Sequence, residues 1–172
     1  MRTLRDAFGQ FATGVAVVTT VTPDGKRAGV TVNSFTSVSL DPPLVLWCLS
    51  RNAPSAPLFL RAGRFTVNVL AAGQDHLSQR FARPLPDKFA GVETRPGPGG
   101  PPLLVGALAH FACRTLTTHD GGDHVIFVGE VEHFQRAEGE PLVFHAGGYR
   151  EFAGAGRAAG RAGARPVLAR PA

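Results

Sequence analysis

The sequence is poor in residues that cross-link, ligate soft metals or anchor a membrane span: its 172 residues include 2 cysteines, 1 methionine, 1 tryptophan and 1 tyrosine. Cys48 and Cys113 each sit inside an apolar run, which excludes a disulfide framework and fits buried thiols in a reducing compartment. Neither stands at metal-ligand spacing from a histidine, so no metal site is expected. No apolar stretch approaches the roughly 20 residues of a membrane span, and the N-terminal Met-Arg-Thr-Leu-Arg-Asp leads into no signal-type segment. A soluble, cytoplasmic protein without a membrane partner is expected. Charged residues are also scarce at 18%, with a net charge of +5. Four of the arginines fall after Gly156 in an Ala/Gly/Arg-rich tail, and no basic helix or basic-aromatic interleaving occurs elsewhere, so nucleic acid is not an expected partner. Residues 154–172 read as a disordered, solubilising extension to one domain over residues 1–153, which is long enough to bury its own core. No Gly-x-Gly-x-x-Gly follows a strand and no Walker loop occurs, which excludes the usual Rossmann and P-loop nucleotide sites.

What the chain does contain is a series of short β-branched runs bounded by Gly and Pro: Val15–Val21, Ala28–Phe35, Leu44–Leu49, Phe65–Leu70, Leu103–Leu116, Val125–Phe134 and Leu142–His145. Pro23-Asp24-Gly25 between the first two has hairpin chemistry. Three segments have helical spacing. Leu4–Phe11 is capped by Thr3, Ser55–Ala62 carries Leu58 and Phe59 on one side, and Gln74–Ala82 places Leu77 and Phe81 one turn apart. Arg95–Pro102, rich in Gly and Pro, is a loop. Many short strands with few helices predict an all-β dominated fold, an antiparallel barrel or sandwich.

The most unusual segment is Gly29-Val-Thr-Val-Asn-Ser-Phe-Thr-Ser-Val-Ser-Leu-Asp-Pro-Pro43, where Thr31, Asn33, Ser34, Ser37 and Ser39 interrupt an apolar strand. Small polar side chains with free backbone groups suit a flat heterocycle with polar edges; a Ser/Thr-rich edge strand on a solvated sheet has the same composition. Ser50-Arg51-Asn52-Ala53-Pro54-Ser55, at a helix start, is a candidate phosphate seat, or simply a cap beside a solvated arginine. Phe81 and Lys88 are candidates to close over a ligand, with Phe81 equally suited to be a core anchor. Gly122-Asp123-His124 opens a strong strand and presents an imidazole beside a carboxylate. His145 and Tyr149 flank a pair of glycines that leaves room for a planar partner.

Taken in order, Phe8-Gly-Gln-Phe-Ala-Thr-Gly-Val-Ala-Val-Val-Thr19, the segment from Gly29, Phe65-Thr-Val-Asn-Val-Leu70, Gln79-Arg-Phe-Ala82, and Gly122-Asp-His with Gly129-Glu-Val resemble the flavin reductases of two-component flavin-dependent monooxygenases. The likeness covers about Leu4 to Phe152. It implies a homodimer of Greek-key, antiparallel FMN-binding split barrels that reduce FMN, or FAD, with NADH or NADPH for a partner monooxygenase. By the same likeness Thr31, Val32, Asn33 and Ser34 line the flavin's ribityl chain and ring edge, and backbone groups of Ser37 and Val38 meet the pyrimidine end. Ser50, Arg51, Asn52 and Ser55 hold the phosphate with Phe81 and Lys88 closing that side, and His124, His145 and Tyr149 face the nicotinamide nucleotide, with His124 as the catalytic group. Similar split barrels reduce a corrin cobalt centre or act as flavin-bound electron carriers, and these stand as alternatives.

Overall fold

Residues 15–18 are all apolar, yet neighbours along this stretch serve two different cores: Val15 and Val17 enter one buried cluster, Ala16 and Val18 another. Side chains of a strand alternate between faces, so a run that is apolar throughout marks a strand covered on both sides. The computed structural model describes residues 2–150, and the expected tail lies outside them. The chain passes through α1 (Arg2–Phe8), β1 (Thr13–Gly14), β2 (Ala16–Val21), β3 (Arg27–Val32), β4 (Thr36–Leu40), β5 (Pro43–Ser50), α2 (Ala56–Ala62), β6 (Arg64–Val69) and α3 (Asp75–Ala82). It continues through β7 (Thr94–Arg95), β8 (Leu103–Leu104), β9 (Ala109–Gly121), β10 (His124–Arg136), β11 (Val143–His145) and β12 (Gly148–Arg150).

Seven strands form one antiparallel sheet in the order β3-β2-β6-β9-β10-β5-β4. β3 and β4 are consecutive in sequence but lie at opposite edges, so residues 33–35 carry the chain across the gap, and β3 touches β5 there without a ladder. The result is a barrel split along one seam. Its interior holds Trp47 stacked on Phe127 (4.6 Å, 14°), with Phe59 and Phe65 edge-on to the indole. Each such aromatic pair adds about 0.5–1.5 kcal/mol beyond simple burial. α3 covers the outer face of β2 and β3 through Leu77 and Phe81, which pack with Phe89, Leu104 and Leu142.

The all-β expectation and the hairpin at 23–25 hold: Gly25 sits at φ +81° and its N–H donates to the Thr22 carbonyl. The expected strand over Ala28–Phe35 is corrected. It ends at Val32, because the crossing between sheet edges requires a bend, and Ser34 fastens that bend by accepting the Cys48 N–H (2.9 Å). Leu103–Leu116 likewise divides at Gly106 (φ +81°) into β8 and β9. Thr3 lies within α1 instead of capping it.

Candidate functional site

A groove of about 910 Å³ opens along the outer edge of β3. Residues 26–30 form one wall, Ser50 and the segment from Ala53 to Leu58 another, and residues 81–89 a third. The third wall follows α3 as a strap bearing Pro84 and Pro86, fastened from below by Arg80, whose Nε donates to the Lys88 carbonyl (2.7 Å) and whose Nη2 donates to that of Asp87 (3.2 Å). Lys26, Arg27, Arg83 and Lys88 outnumber the carboxylate of Asp87, so the groove favours an anion. Lys88 Nζ donates to the carbonyls of Phe81 (2.7 Å) and Gly29 (3.1 Å), and its third proton remains for a ligand. Burial pushes the Lys88 ammonium below the ordinary lysine value of 10.5, the direction expected when a cation loses solvent. Ser55 stands at the start of α2 without a capping hydrogen bond, which leaves its hydroxyl for the groove.

Beyond the groove the polar segment follows β5. Ser37 pairs with Val45 and Ser39 with Leu44, so Val38 is an extra residue in a β-bulge on an exposed edge strand. A bulged residue leaves its backbone groups out of the ladder and re-aims its neighbours. From Val45, opposite the bulge, to Ser50 is five residue steps, about 17 Å at about 3.3 Å per step. Backbone donors at one end and the cationic groove at the other therefore lie along a single line, with the bend at Asn33 and Ser34 between them.

Several of the expected ligand residues have partners of their own within the fold. Phe81 is 0% exposed, packed edge-on to Phe89 (5.1 Å) and over Gly29, where a Cβ would come within 2.5 Å of its ring. It supports the groove from beneath instead of closing over it. The Val32 side chain is buried in the barrel core. Thr31 Oγ1 donates to the Ser78 carbonyl (2.6 Å), and Ser34 is engaged at the seam. Ser50 lines the groove, whereas Arg51 and Asn52 do not. Asn33, Ser37 and Asn52 are exposed.

His124 begins β10 opposite Ser50, and its Nδ1 lies 2.7 Å from Asp123 Oδ1, leaving Nε2 to face outward. Hydrogen bonding to His124 holds the Asp123 carboxyl below the usual carboxylate range. His145 and Tyr149 lie on a separate hairpin, β11–β12. Tyr149 donates to Ser78 Oγ (2.8 Å) and packs on Phe144, so its hydroxyl ties the hairpin to α3. Ser78, 1% exposed, joins β3, α3 and β12, a role that its place in an otherwise amphipathic helix did not disclose. Among the described residues no three His, Cys, Asp or Glu side chains gather at metal-binding distance.

Residues 8–153 match the flavin reductase like domain. The chain belongs to that family. An FMN reductase (NADH) of Agrobacterium fabrum is 46% identical over 151 residues, covering 88% of this chain and 86% of the relative. A probable flavin reductase of Rhizobium meliloti is 47% identical over 148 residues, 86% of this chain, and the chain spans about half (48%) of that relative's length. A solved structure of an NADH:FAD oxidoreductase of Streptomyces globisporus, in complex with NAD and FAD fragments, superposes with a TM-score of 0.84 at 42% identity, covering 89% of this chain and 93% of the other. Other relatives are reductase subunits or components of flavin-dependent monooxygenases. The family's antiparallel architecture is the one observed here, and no helix among the described residues is long and apolar enough to cross a membrane.

Proposed function

We propose that this chain is an NAD(P)H:flavin oxidoreductase that seats FMN, or the FMN half of FAD, along the line from the Val38 bulge to the Lys88 groove. The supporting observation is that line itself, with unpaired backbone groups at one end and excess positive charge at the other. The residues present fit the group: Ser50, Ser55 and the spare Lys88 proton suit a phosphate, and the bulge suits the pyrimidine rim of a flat ring. When bound, the flavin supplies a hydride acceptor for the nicotinamide.

The protein's own contribution is alignment and electrostatics. Ser37 and Val38 offer fixed backbone dipoles where negative charge develops on the ring, and preorganised donors of this kind are commonly the largest single contribution to rate. Asp123 orients His124 so that Nε2 is available to a nicotinamide nucleotide, and no side chain is required as a nucleophile. The relatives that serve monooxygenases support an oxygenase as the acceptor of the product. A homodimer is part of the proposal, since the edge strand that carries the bulge also presents Val38 (51% exposed) and Leu40 (92% exposed). An anaerobic titration tests the activity: NADH, added to protein with stoichiometric FMN, bleaches the flavin absorbance within the mixing time of a turnover assay. Persistent yellow colour with both NADH and NADPH rejects the reductase and favours a carrier.

A further inference from the structure

Two features set Arg51 apart from the residues around the groove. It does not line the cationic groove, although Ser50 before it and Ser55 after it do. Two of its guanidinium nitrogens and its backbone N–H are instead engaged at the β9–β10 turn: Nε donates to the Gly122 carbonyl (2.8 Å), Nη2 donates to Asp120 Oδ1 (2.6 Å), and the backbone N–H donates to the Asp123 carbonyl (3.0 Å). Asp120 Oδ1 also accepts the Gly122 N–H (3.1 Å), and Arg51 with that N–H holds the Asp120 carboxyl below its usual range. The turn needs such a brace. Gly121 and Gly122 have the greatest backbone freedom to lose, Gly122 adopts φ +73°, and the very next residues are Asp123 and His124.

We infer that Arg51, gripped by Asp120, is a positioning residue for His124: it locks the Gly121-Gly122 turn so that the Asp123–His124 pair stands at a fixed place beside Ser50. This rests on the proposed function only in taking His124 to face the nicotinamide nucleotide. The guanidinium fork is the part that matters, because it reaches a carbonyl and a carboxylate at once, which an ammonium on the same site does not do with comparable geometry. Arg51 and Asp120 are both partly solvated, so the brace contributes through order more than through raw ion-pair strength.

The test compares Arg51→Met, Arg51→Lys, Asp120→Asn and the Arg51→Met/Asp120→Asn double variant in full-length protein. Each is assayed for the KM for NADH at saturating FMN and for the Kd of FMN and of riboflavin. The expected result is a rise in the KM for NADH of about three- to tenfold in each single variant, the scale of one or two partly exposed hydrogen bonds. FMN and riboflavin affinities stay unchanged, Arg51→Lys fails to restore the KM, and the double variant is no worse than Arg51→Met alone. A selective loss of FMN over riboflavin affinity in Arg51→Met, with Asp120→Asn silent, makes Arg51 a phosphate ligand and overturns the inference. Amide hydrogen exchange gives a readout independent of turnover: the Gly122 amide and the amide at position 51 exchange faster in Asp120→Ala, which removes the acceptor oxygen altogether, and unchanged rates there also overturn it. Wild-type protein that oxidises no NADH with any flavin would instead reject the proposed function, with the exchange result still deciding the brace.

Discussion

Phe81 and Lys88 stand within one small structure yet act at different levels, and substitution separates them. Removing the Phe81 ring opens a cavity against Phe89, Gly29 and Leu77. Phe81→Ala should cost about 3–5 kcal/mol of stability, measured by urea unfolding. If Phe81 were a ligand-facing lid, the variant would unfold with the midpoint of wild type and lose only flavin affinity. Lys88 works through charge. Its pKa is depressed by burial, so as pH rises its ammonium is lost earlier than an ordinary lysine's. FMN affinity should therefore fall on the alkaline side from below the usual lysine range, riboflavin affinity should not, and Lys88→Met should flatten the FMN profile. Linkage has a definite sign here: without ligand, the folded chain binds this proton less tightly than the unfolded chain. The destabilisation is full below the folded pKa and is relieved as pH rises through it. Cys113 differs from both. Burial and the nearby Glu132 carboxylate push its thiol up to about 12, so it stays protonated and inert at working pH. Its place in an apolar run already pointed to burial, whereas nothing local in the sequence distinguishes the Phe81 of a core from the Phe81 of a lid.

Strand periodicity disclosed most of the sheet, because β2, β5, β6 and the first half of β10 alternate between covered faces. It disclosed neither the bend at residues 33–35 nor the bulge at Val38, since both arise from long-range demands: the chain must cross between the two edges of the sheet, and β4 must match β5 with one residue in excess. The polar composition of the segment was legible; its division among seam, bulge and solvent was not. Ser34 shows the difference: its hydroxyl suited a ligand, and its place in pinning β5 could not be read from composition. The bulge can be tested by removing its donor. Val38 lies on an edge strand, where proline is tolerated, so Val38→Pro should fold. If the Val38 N–H meets the ring edge, affinity for FMN and riboflavin should fall together by roughly tenfold, about one hydrogen bond with its partner left unsatisfied. A loss confined to FMN would move the contact to the phosphate end, and no loss would remove the bulge from the site.

At the scale of the molecule, the apolar surface poses a sharper question than the charge, because much of the net +5 resides in arginines of the tail. Leu40 is 92% exposed and Val38 51% exposed on an edge strand, next to backbone groups free to bond outward. Uncovered apolar edges invite association, and native proteins blunt them with charge or proline unless something covers them. Here Pro42 and Pro43 stop the edge after Leu40, but no lysine or arginine guards β4 itself. A second copy over β4 would also enclose a ring lying on the Val38 bulge, so dimerisation and flavin binding should be linked. Leu40→Lys should then shift sedimentation from twice the chain mass toward the monomer and weaken flavin binding in the same concentration range, with added FMN driving the variant partly back to dimer. The reverse outcome is equally readable. A wild-type chain that sediments as a monomer at every concentration, yet binds FMN with a concentration-independent Kd, would show that one barrel completes the site and that Leu40 faces solvent for another reason.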